Sequence, residues 1–468
     1  MLAATIVMAA GIGTRMKSAL PKVLHRVLGR PLVQFPVRLA LEGTQGPVVV
    51  VGGAFLEELR RAVLADTPSD RLLFACQEHP RGTADAVRAG LAALPPGEGP
   101  ERRGVLILNG DVPCLSPATL VRLITAFDEG RDVAFLGFHA ADPTGYGRVL
   151  YDDSGVILGI REEKELRPED REIDLVNGGI YLVEEGLLRS FVAGMKRSEH
   201  HGEFLLTDVV EHAVGQGRGA EVVIADAAGE LDGVNTREHL AEVTRILRRR
   251  RNRELMLGGV SLPSPDDVDV DFGVVVGPDT LLEPGVALRG ATRIAGDVTI
   301  GRGSVVEGCV IGRGCRVLPY CVLESTELRE GCTVGPFAHT RPGTVLEDGA
   351  KIGNFVETKK TRVGAGSKVN HLTYLGDCDV GRQVNVGAGT ITCNYDGVHK
   401  HRTVLGDRVF VGSDVQLVAP VTVGAGATLA AGATITEDVP AGALAISRTP
   451  QVNVGGYAER KQRDRGGA

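Results

Sequence analysis

The chain has 468 residues, 43% of them hydrophobic, and a formal net charge of −7. That length exceeds one ordinary core and implies two domains, and so mild a charge excludes a general nucleic-acid binder. No apolar run is long enough to span a bilayer, and the first residues lack the basic segment of a secretory signal, so the expected location is cytoplasmic.

Over residues 1–235, strand-like and helix-like pieces alternate. Thr5–Met8, Val48–Val51, Val105–Leu108 and Val133–Phe138 are β-rich runs. Such alternation predicts an α/β sheet with crossover helices, binding its ligands beyond the carboxyl ends of the strands. Ala9-Ala-Gly-Ile-Gly-Thr-Arg-Met16 follows the first strand directly and leads to Pro21-Lys22. Its glycines let backbone N–H groups approach phosphate oxygens. Arg15 can fork onto a pyrophosphate, and Lys22 offers a compact charge for a reacting phosphoryl group. A lone G-x-G is often just a turn, and the pattern G-x-x-x-x-G-K-[ST] is absent.

Residues 236–258 read as a helical arm, with Leu240, Val243 and Leu247 on one stripe. Arg248–Arg251 is a run of four arginines. A solvated or interdomain salt-bridge face is the main reading; nucleic-acid contact is the lesser one, since nothing aromatic accompanies the run.

Residues 259–468 form the second domain, and from about Gly277 to about Pro440 they carry a period of six. In register are Ile294-Ala-Gly-Asp-Val298, Ile300-Gly-Arg-Gly-Ser304, Ile311-Gly-Arg-Gly-Cys315, Val363-Gly-Ala-Gly-Ser367 and Val423-Gly-Ala-Gly-Ala427. Six residues make a short strand plus a corner, which predicts a parallel β-helix of about nine three-hexad coils. Cys315, Cys321 and Cys332 hold the small-residue position and are expected inside the prism; the eight cysteines form no C-x-x-C pair and no zinc-spaced cluster. Cys393–Arg402 breaks the repeat and reads as a loop lining a binding face. The polar tail after Gln451 is expected to be loosely ordered.

Arg341 and Lys359 lie one eighteen-residue coil apart at the same hexad position. They are expected to stack on one corner as a basic pair for a phosphate. His371 follows within a coil. An imidazole there suits a structural role or a base that takes a proton from an attacking amine.

The N-terminal motifs resemble those of the nucleotide-sugar pyrophosphorylases, the sugar-1-phosphate nucleotidylyltransferases. The resemblance implies a Rossmann-like mixed sheet. It implies that Gln77 with Gly82 and Thr83 reads uracil, and that Asp111 and Asn235 hold Mg²⁺. Gly147 (in Gly145-Tyr-Gly-Arg148), Glu162 and Asn177 would bind the sugar. Met8, Ala9, Ala10, Gly11, Lys22, Asn109 and Gly110 would complete the UDP-N-acetylglucosamine site, with Arg15 and Lys22 acting in catalysis. Asn235 also suits a helix cap, and Gly145-Tyr-Gly a hairpin. Met8 stands where leucine is commoner, and Asn109 where some relatives have tyrosine, which leaves its sugar contact open.

Arg341-Pro-Gly, Asn354-Phe-Val-Glu-Thr-Lys-Lys360, His371-Leu-Thr-Tyr374, Asn385-Val-Gly-Ala-Gly-Thr-Ile-Thr-Cys-Asn-Tyr-Asp-Gly397 and Val411-Gly-Ser-Asp414 extend the resemblance over nearly the whole chain. They resemble a family of bifunctional enzymes that acetylate glucosamine 1-phosphate and then uridylylate N-acetylglucosamine 1-phosphate. The resemblance implies a left-handed β-helix, although general chirality predicts right-handed crossovers. It implies a homotrimer, with each acetyl-transfer site built between neighbouring prisms. Arg341, Lys359, Tyr374 and Asn385 would hold the sugar phosphate, and His371 would be the base. Ala388, Asn394, Tyr395, Ser413, Ala431 and Arg448 would line the acetyl-CoA groove. UTP and acetyl-CoA are the implied co-substrates, Mg²⁺ the cofactor, and neither nucleic acid nor membrane a partner. His339 replaces an arginine seen in some relatives. Two rivals remain: a single-activity nucleotidylyltransferase whose repeats regulate or assemble it, and a non-catalytic scaffold of the same two-domain plan.

Overall fold

A computed structural model describes residues 2–94, 102–227 and 229–466. The chain divides into two compact units, Met1–Arg250 and Arg251–Ala468.

The first unit is built on strands β1 (Leu2–Met8), β2 (Val48–Gly52), β3 (Leu72–Cys76), β4 (Gly104–Asn109), β5 (Val133–His139), β6 (Arg148–Tyr151), β7 (Ile157–Arg161), β8 (Leu175–Glu184) and β9 (Ala220–Ile224). The sheet runs β9-β5-β8-β4-β1-β2-β3, with β6 hooked onto β8 and β7 onto β6. It is mixed: β8 runs antiparallel to both β4 and β5, whereas β1 is parallel to β2 and β4. The central strands are continuous apolar runs because both faces are covered. Val7, Val48, Val50, Leu106 and Leu108 pack into one buried cluster, while Ile6, Val49, Val51, Val105 and Ile107 pack into the other. The four runs legible in the sequence are β1, β2, β4 and β5. The others were not singled out; β9, for example, is half-buried at every position and carries no clear period.

In-register pairing sets the level of the strand ends. Met8 stands opposite both Val51 and Asn109, and Gly52 stands opposite Cys76. The segments that leave β1, β3 and β4 therefore emerge side by side.

The helix α7 (Arg237–Leu257) buries Val243 and Leu247. The arginine run is used in packing. In the first unit Arg250 donates to the Cys114 carbonyl and pairs with Glu230. In the second, Arg251 donates to the Val274 carbonyl at 2.7 Å and pairs with Glu254.

The second unit is a three-faced left-handed β-helix of very short parallel strands. The first face begins with Asp269–Val270, the second with Val275–Val276 and the third with Leu281–Leu282; they hold ten, nine and ten strands. Right-handed crossovers arise when a twisted strand feeds a helix that packs back on its sheet. Two-residue strands joined by tight corners have no such helix, so that rule does not govern this chain. Successive coils pair seventeen or eighteen positions apart, as in His339↔Glu357 and Glu357↔Tyr374. The repeat runs past Pro440 to a last strand at Leu444–Ala445. The interior is aliphatic with thiols between, and Cys315, Cys321 and Cys332 are fully buried, as expected.

The corner leading from the third face back to the first is built from residues with left-handed backbone. Tyr320, Phe337, Phe355 and Leu372 have φ of 60°, 53°, 55° and 44°. Non-glycine residues adopt this conformation at a cost. Ring stacking offsets part of it, with centroids 5.4 Å apart for Tyr320–Phe337 and 5.5 Å for Phe337–Phe355. The tail, expected to be loosely ordered, forms a ten-residue helix, α8 (Tyr457–Gly466).

Gly353, on the third face, leaves no room for a Cβ, which would overlap the Asn370 carbonyl. Gly353→Ala is expected to destabilise the β-helix by about 3 kcal/mol, read from its denaturant midpoint.

Candidate active sites

In the first unit, Met8, Ala9, Ala10, Gly11, Lys22, Gln77, Gly82, Thr83, Asn109 and Asp111 line one cavity of about 290 Å³. The level strand ends explain the convergence. The Gly110 N–H donates to the Met8 carbonyl at 2.8 Å, and a Cβ at Gly110 would lie 2.9 Å from that oxygen. Gly13 has φ 75°, and a Cβ there would stand 2.6 Å from Lys22 Cβ. Glycine at this point lets the Lys22 stem cross the loop, where the Lys22 N–H donates to the Ile12 carbonyl at 3.2 Å. Arg15 is exposed on the short 3-10 turn that follows.

The Lys22 ammonium donates to Asp111 Oδ2 and, at 3.0 Å, to Asn235 Oδ1. Asn235 is not the cap of α7. That task falls to Thr236, whose hydroxyl accepts the His239 N–H at 3.1 Å. The Val234 N–H donates to the Asp111 carbonyl at 2.9 Å, so the two oxygen-bearing segments are joined by backbone as well. One carboxylate and one carboxamide oxygen thus converge on a single cation. Hard oxygen donors, few in number and at the edge of this cavity, fit Mg²⁺, which takes its remaining ligands from water and substrate phosphates. The lysine ammonium shows that a positive charge is accommodated there.

Gly147, Glu162 and Asn177 form a second cluster. The Asn177 N–H donates to the Gly147 carbonyl at 2.9 Å, and a Cβ on Gly147 would come 3.5 Å from Glu162 Oε2. Gly145 and Tyr146 form a turn ahead of β6, the hairpin strand paired with β7. Asn109 directs its Nδ2 to the Gly179 carbonyl at 3.0 Å, so the amide is committed to backbone. Burial pushes the Glu162 carboxyl above its usual range, although the Thr207 hydroxyl donates to it at 3.1 Å. Neighbouring Asp208 is pushed up to about 6, by burial first and then by Glu165, Glu211 and Glu162.

In the second unit, register sorts the expected residues into files. Lys351, Lys368, Asn385, Phe410 and Thr428 are successive partners on the third face. Three positions after each come Asn354, His371, Ala388, Ser413 and Ala431, one file along the corner between third and first faces. The backbone repeats down the file: Ala388 accepts the Asp414 N–H at 2.7 Å and Ser413 the Gly432 N–H at 2.8 Å. Arg448 donates to the Ala431 carbonyl at 3.0 Å. The exposed His371 ring sits with Nδ1 3.0 Å from Asn354 Oδ1.

Arg341 follows the strand His339–Thr340, Lys359 ends the paired strand Glu357–Lys359, and the two stack one coil apart, as expected. They end that face, whereas His371 stands at the corner that begins it. Tyr374 lies on the face itself, its hydroxyl over Gly376, where a Cβ would overlap it. Asn385 is on the third face, across the corner from Tyr374. Coil spacing lengthens to twenty-five residues where Ile391 pairs with Gln416, and the excess is the loop. Asn394 ties it down by donating to Asp377 Oδ2 at 2.6 Å, and the Tyr395 hydroxyl donates to the Gly397 carbonyl at 2.6 Å.

Two residues of this second cluster escape a reading of the sequence. Lys400, on the loop, sets a like charge against Lys359; Lys400 first, and Arg341 after it, hold Lys359 below the usual lysine range. Asn354 orients His371. The signal for Asn354 was present, since it precedes His371 by one coil of seventeen. For Lys400 none existed, because the loop abandons the period.

A nucleotidyltransferase fold with a cavity at its level strand ends, followed by a hexapeptide prism bearing an imidazole and a basic cluster, defines a two-part transferase. Residues 5–169 match the MobA-like NTP transferase domain, and residues 402–437 match the bacterial transferase hexapeptide (six repeats). The chain is 48% identical to the bifunctional protein GlmU of Pelobacter propionicus, over 98% of this chain and 99% of that one. It is 47% identical to the GlmU of Trichlorobacter lovleyi, over 99% and 100%. It is 45% identical to that of Sorangium cellulosum, over 97% and 96%. The chain belongs to the bifunctional GlmU family.

With the Asp208 pKa raised from 3.8 to about 6, the folded state holds a proton in that window that the unfolded state has released. Stability therefore falls as pH rises through the window, and the cost persists above it. Asp208→Asn is expected to raise the melting temperature of the first unit by a few degrees at pH 8, with the gain vanishing near pH 4.

Proposed function

We propose that the chain makes UDP-N-acetylglucosamine in two steps: residues 259–468 acetylate glucosamine 1-phosphate, and residues 1–235 transfer UMP from UTP to the product, with residues 236–258 as the connecting arm. The observation that carries this reading is the gathering of Lys359, Arg341 and Lys400 on the prism; in the first unit Lys22, paired with Asp111 and Asn235, lines the cavity. Like charges gathered at close range are suited to an anion, and the substrates of both reactions are phosphates.

In uridylyl transfer, a phosphate oxygen of the sugar phosphate attacks the α-phosphorus of UTP and pyrophosphate leaves. The backbone of Ala9–Gly11 cradles phosphate oxygens, and Arg15 draws onto the leaving pyrophosphate. Lys22 places its charge where the transferred group gains negative charge. Gln77 meets the base, and Gly147, Glu162 and Asn177 hold the sugar. Asp111 and Asn235 would hold Mg²⁺, which supplies charge neutralisation between phosphates when bound. Positioning carries the rest of the rate, and no protein nucleophile is used.

In acetyl transfer, the sugar amine attacks the thioester carbonyl of acetyl-CoA, the C–S bond breaks, and CoA leaves as the thiol. With Nδ1–H donating to the Asn354 oxygen, His371 Nε2 carries the free lone pair and accepts the proton of the attacking nitrogen. The file of Ala388, Ser413 and Ala431 is narrow enough for a pantetheine chain to lie along it, with Asn394, Tyr395 and Arg448 flanking. Arg341, Lys359, Tyr374 and Lys400 hold the sugar phosphate, and Asn385 faces it from across the corner. Residues spread over two faces and their shared corner suit a site completed by a neighbouring prism, which accords with a homotrimer in the cytoplasm.

The regulatory-repeat alternative requires that His371→Ala leave every activity intact. Here it is expected to lower acetyl transfer by about 10²–10⁴-fold, read as free CoA thiol, with pyrophosphate release from UTP unchanged. Lys22→Ala is expected to show the converse, a loss of about 10²–10³-fold in uridylyl transfer alone. Lys400→Ala should raise the KM for glucosamine 1-phosphate about tenfold in acetyl transfer.

A further inference from the structure

Gln77 leaves the end of β3, and its backbone N–H donates to the Gly52 carbonyl at 2.8 Å. Its side-chain nitrogen donates to two acceptors, the Gly82 carbonyl at 3.0 Å and Asp85 Oδ2 at 3.0 Å. Neither partner carries a hydrogen. Turned over, the carboxamide would set its oxygen against a carbonyl and a carboxylate, so only one orientation is tenable. Both N–H bonds are consumed in that orientation. Oε1 is then the polar atom left for a ligand in the cavity that Gln77 lines.

Asp85 stands in the first turn of helix α3 (Thr83–Ala93) and is only 5% exposed. Its other oxygen pairs with Arg88. Burying a carboxylate is costly unless it is paired and hydrogen-bonded. This one is placed behind the base-facing amide, away from Lys22 and the phosphate loop, where negative charge would oppose binding.

We infer that Asp85 is the specificity-determining positioning residue of the nucleotide site: with the Gly82 carbonyl it locks the Gln77 carboxamide so that the site presents an acceptor alone. An acceptor pairs with the N3–H of uracil and meets the bare N3 of cytosine with repulsion. A freely turning carboxamide would serve either base, offering oxygen to one and nitrogen to the other. Discrimination between pyrimidines thus rests on a residue that touches neither. The inference depends on the reading of this cavity as the uridine nucleotide site.

The test measures kcat/KM of the full-length enzyme for UTP and for CTP, with N-acetylglucosamine 1-phosphate as acceptor and pyrophosphate as readout. Asp85→Ala is expected to lower the UTP-over-CTP ratio by about tenfold or more, with the KM for the sugar phosphate unchanged. Asp85→Leu, close in shape but without an acceptor, should show the same fall, which separates lost orientation from lost volume. Asp85→Asn, whose carboxamide oxygen still accepts from Gln77, should keep the ratio within about threefold of the parent. A ratio unchanged in Asp85→Ala and Asp85→Leu but lowered in Gln77→Ala overturns the inference and leaves the uridine site standing. A ratio unchanged in Gln77→Ala as well overturns the site reading with it.

Discussion

Parallel strands in register place the functional residues in both units. In the sheet, Met8, Asn109, Gly52 and Cys76 end level, so the loops after them meet at one edge. In the prism, each coil repeats the one before it about one strand spacing away, ~4.8 Å. A residue three positions into a coil's corner therefore stands over its counterparts, and Asn354, His371, Ala388, Ser413 and Ala431 form a file. A slip of one residue would turn interior aliphatics outward and scatter that file, which is why the wholly buried interior holds the register.

The electrostatics of the two clusters differ. In the first unit one cation meets one carboxylate: Lys22 is held between Asp111 and Asn235. On the prism, cations are collected at short range with few carboxylates to neutralise them, which raises the energy of the free protein and favours an anion. Lys359 is crowded by Lys400 and Arg341, and Glu357 pairs with Arg341 at 2.9 Å. Buried carboxylates behave oppositely. Asp85 is given two donors and keeps one polar atom aligned, whereas Asp208 is left among acids and costs stability.

Much of the site was legible where backbone chemistry leaves a mark. Ala9–Met16 announces itself because a loop crossed so closely by the Lys22 stem needs glycine at Gly13. Arg341 and Lys359 were readable because a solenoid converts spacing into stacking. Asn235 could be read as cap or ligand, and only its distance from Lys22, against Thr236 holding the cap, separates the two geometries. Lys400, Asp85 and Thr207 act through space, over separations that no period describes. The tail helix was missed because its composition is polar throughout, which reads as tail rather than helix.

By itself the sequence determined the two-part plan, the hexapeptide prism and the residues of the glycine-rich loop after the first strand, since each is written in local pattern or fixed spacing. Tertiary structure alone decided which face each residue occupies: Asn385 on the third, Tyr374 on the first, His371 on the corner between them. It also decided which way the Gln77 amide points and which cation answers Lys359. The physical reason is that orientation and charge balance are set by neighbours distant in sequence, brought within about 3 Å only when the chain has folded.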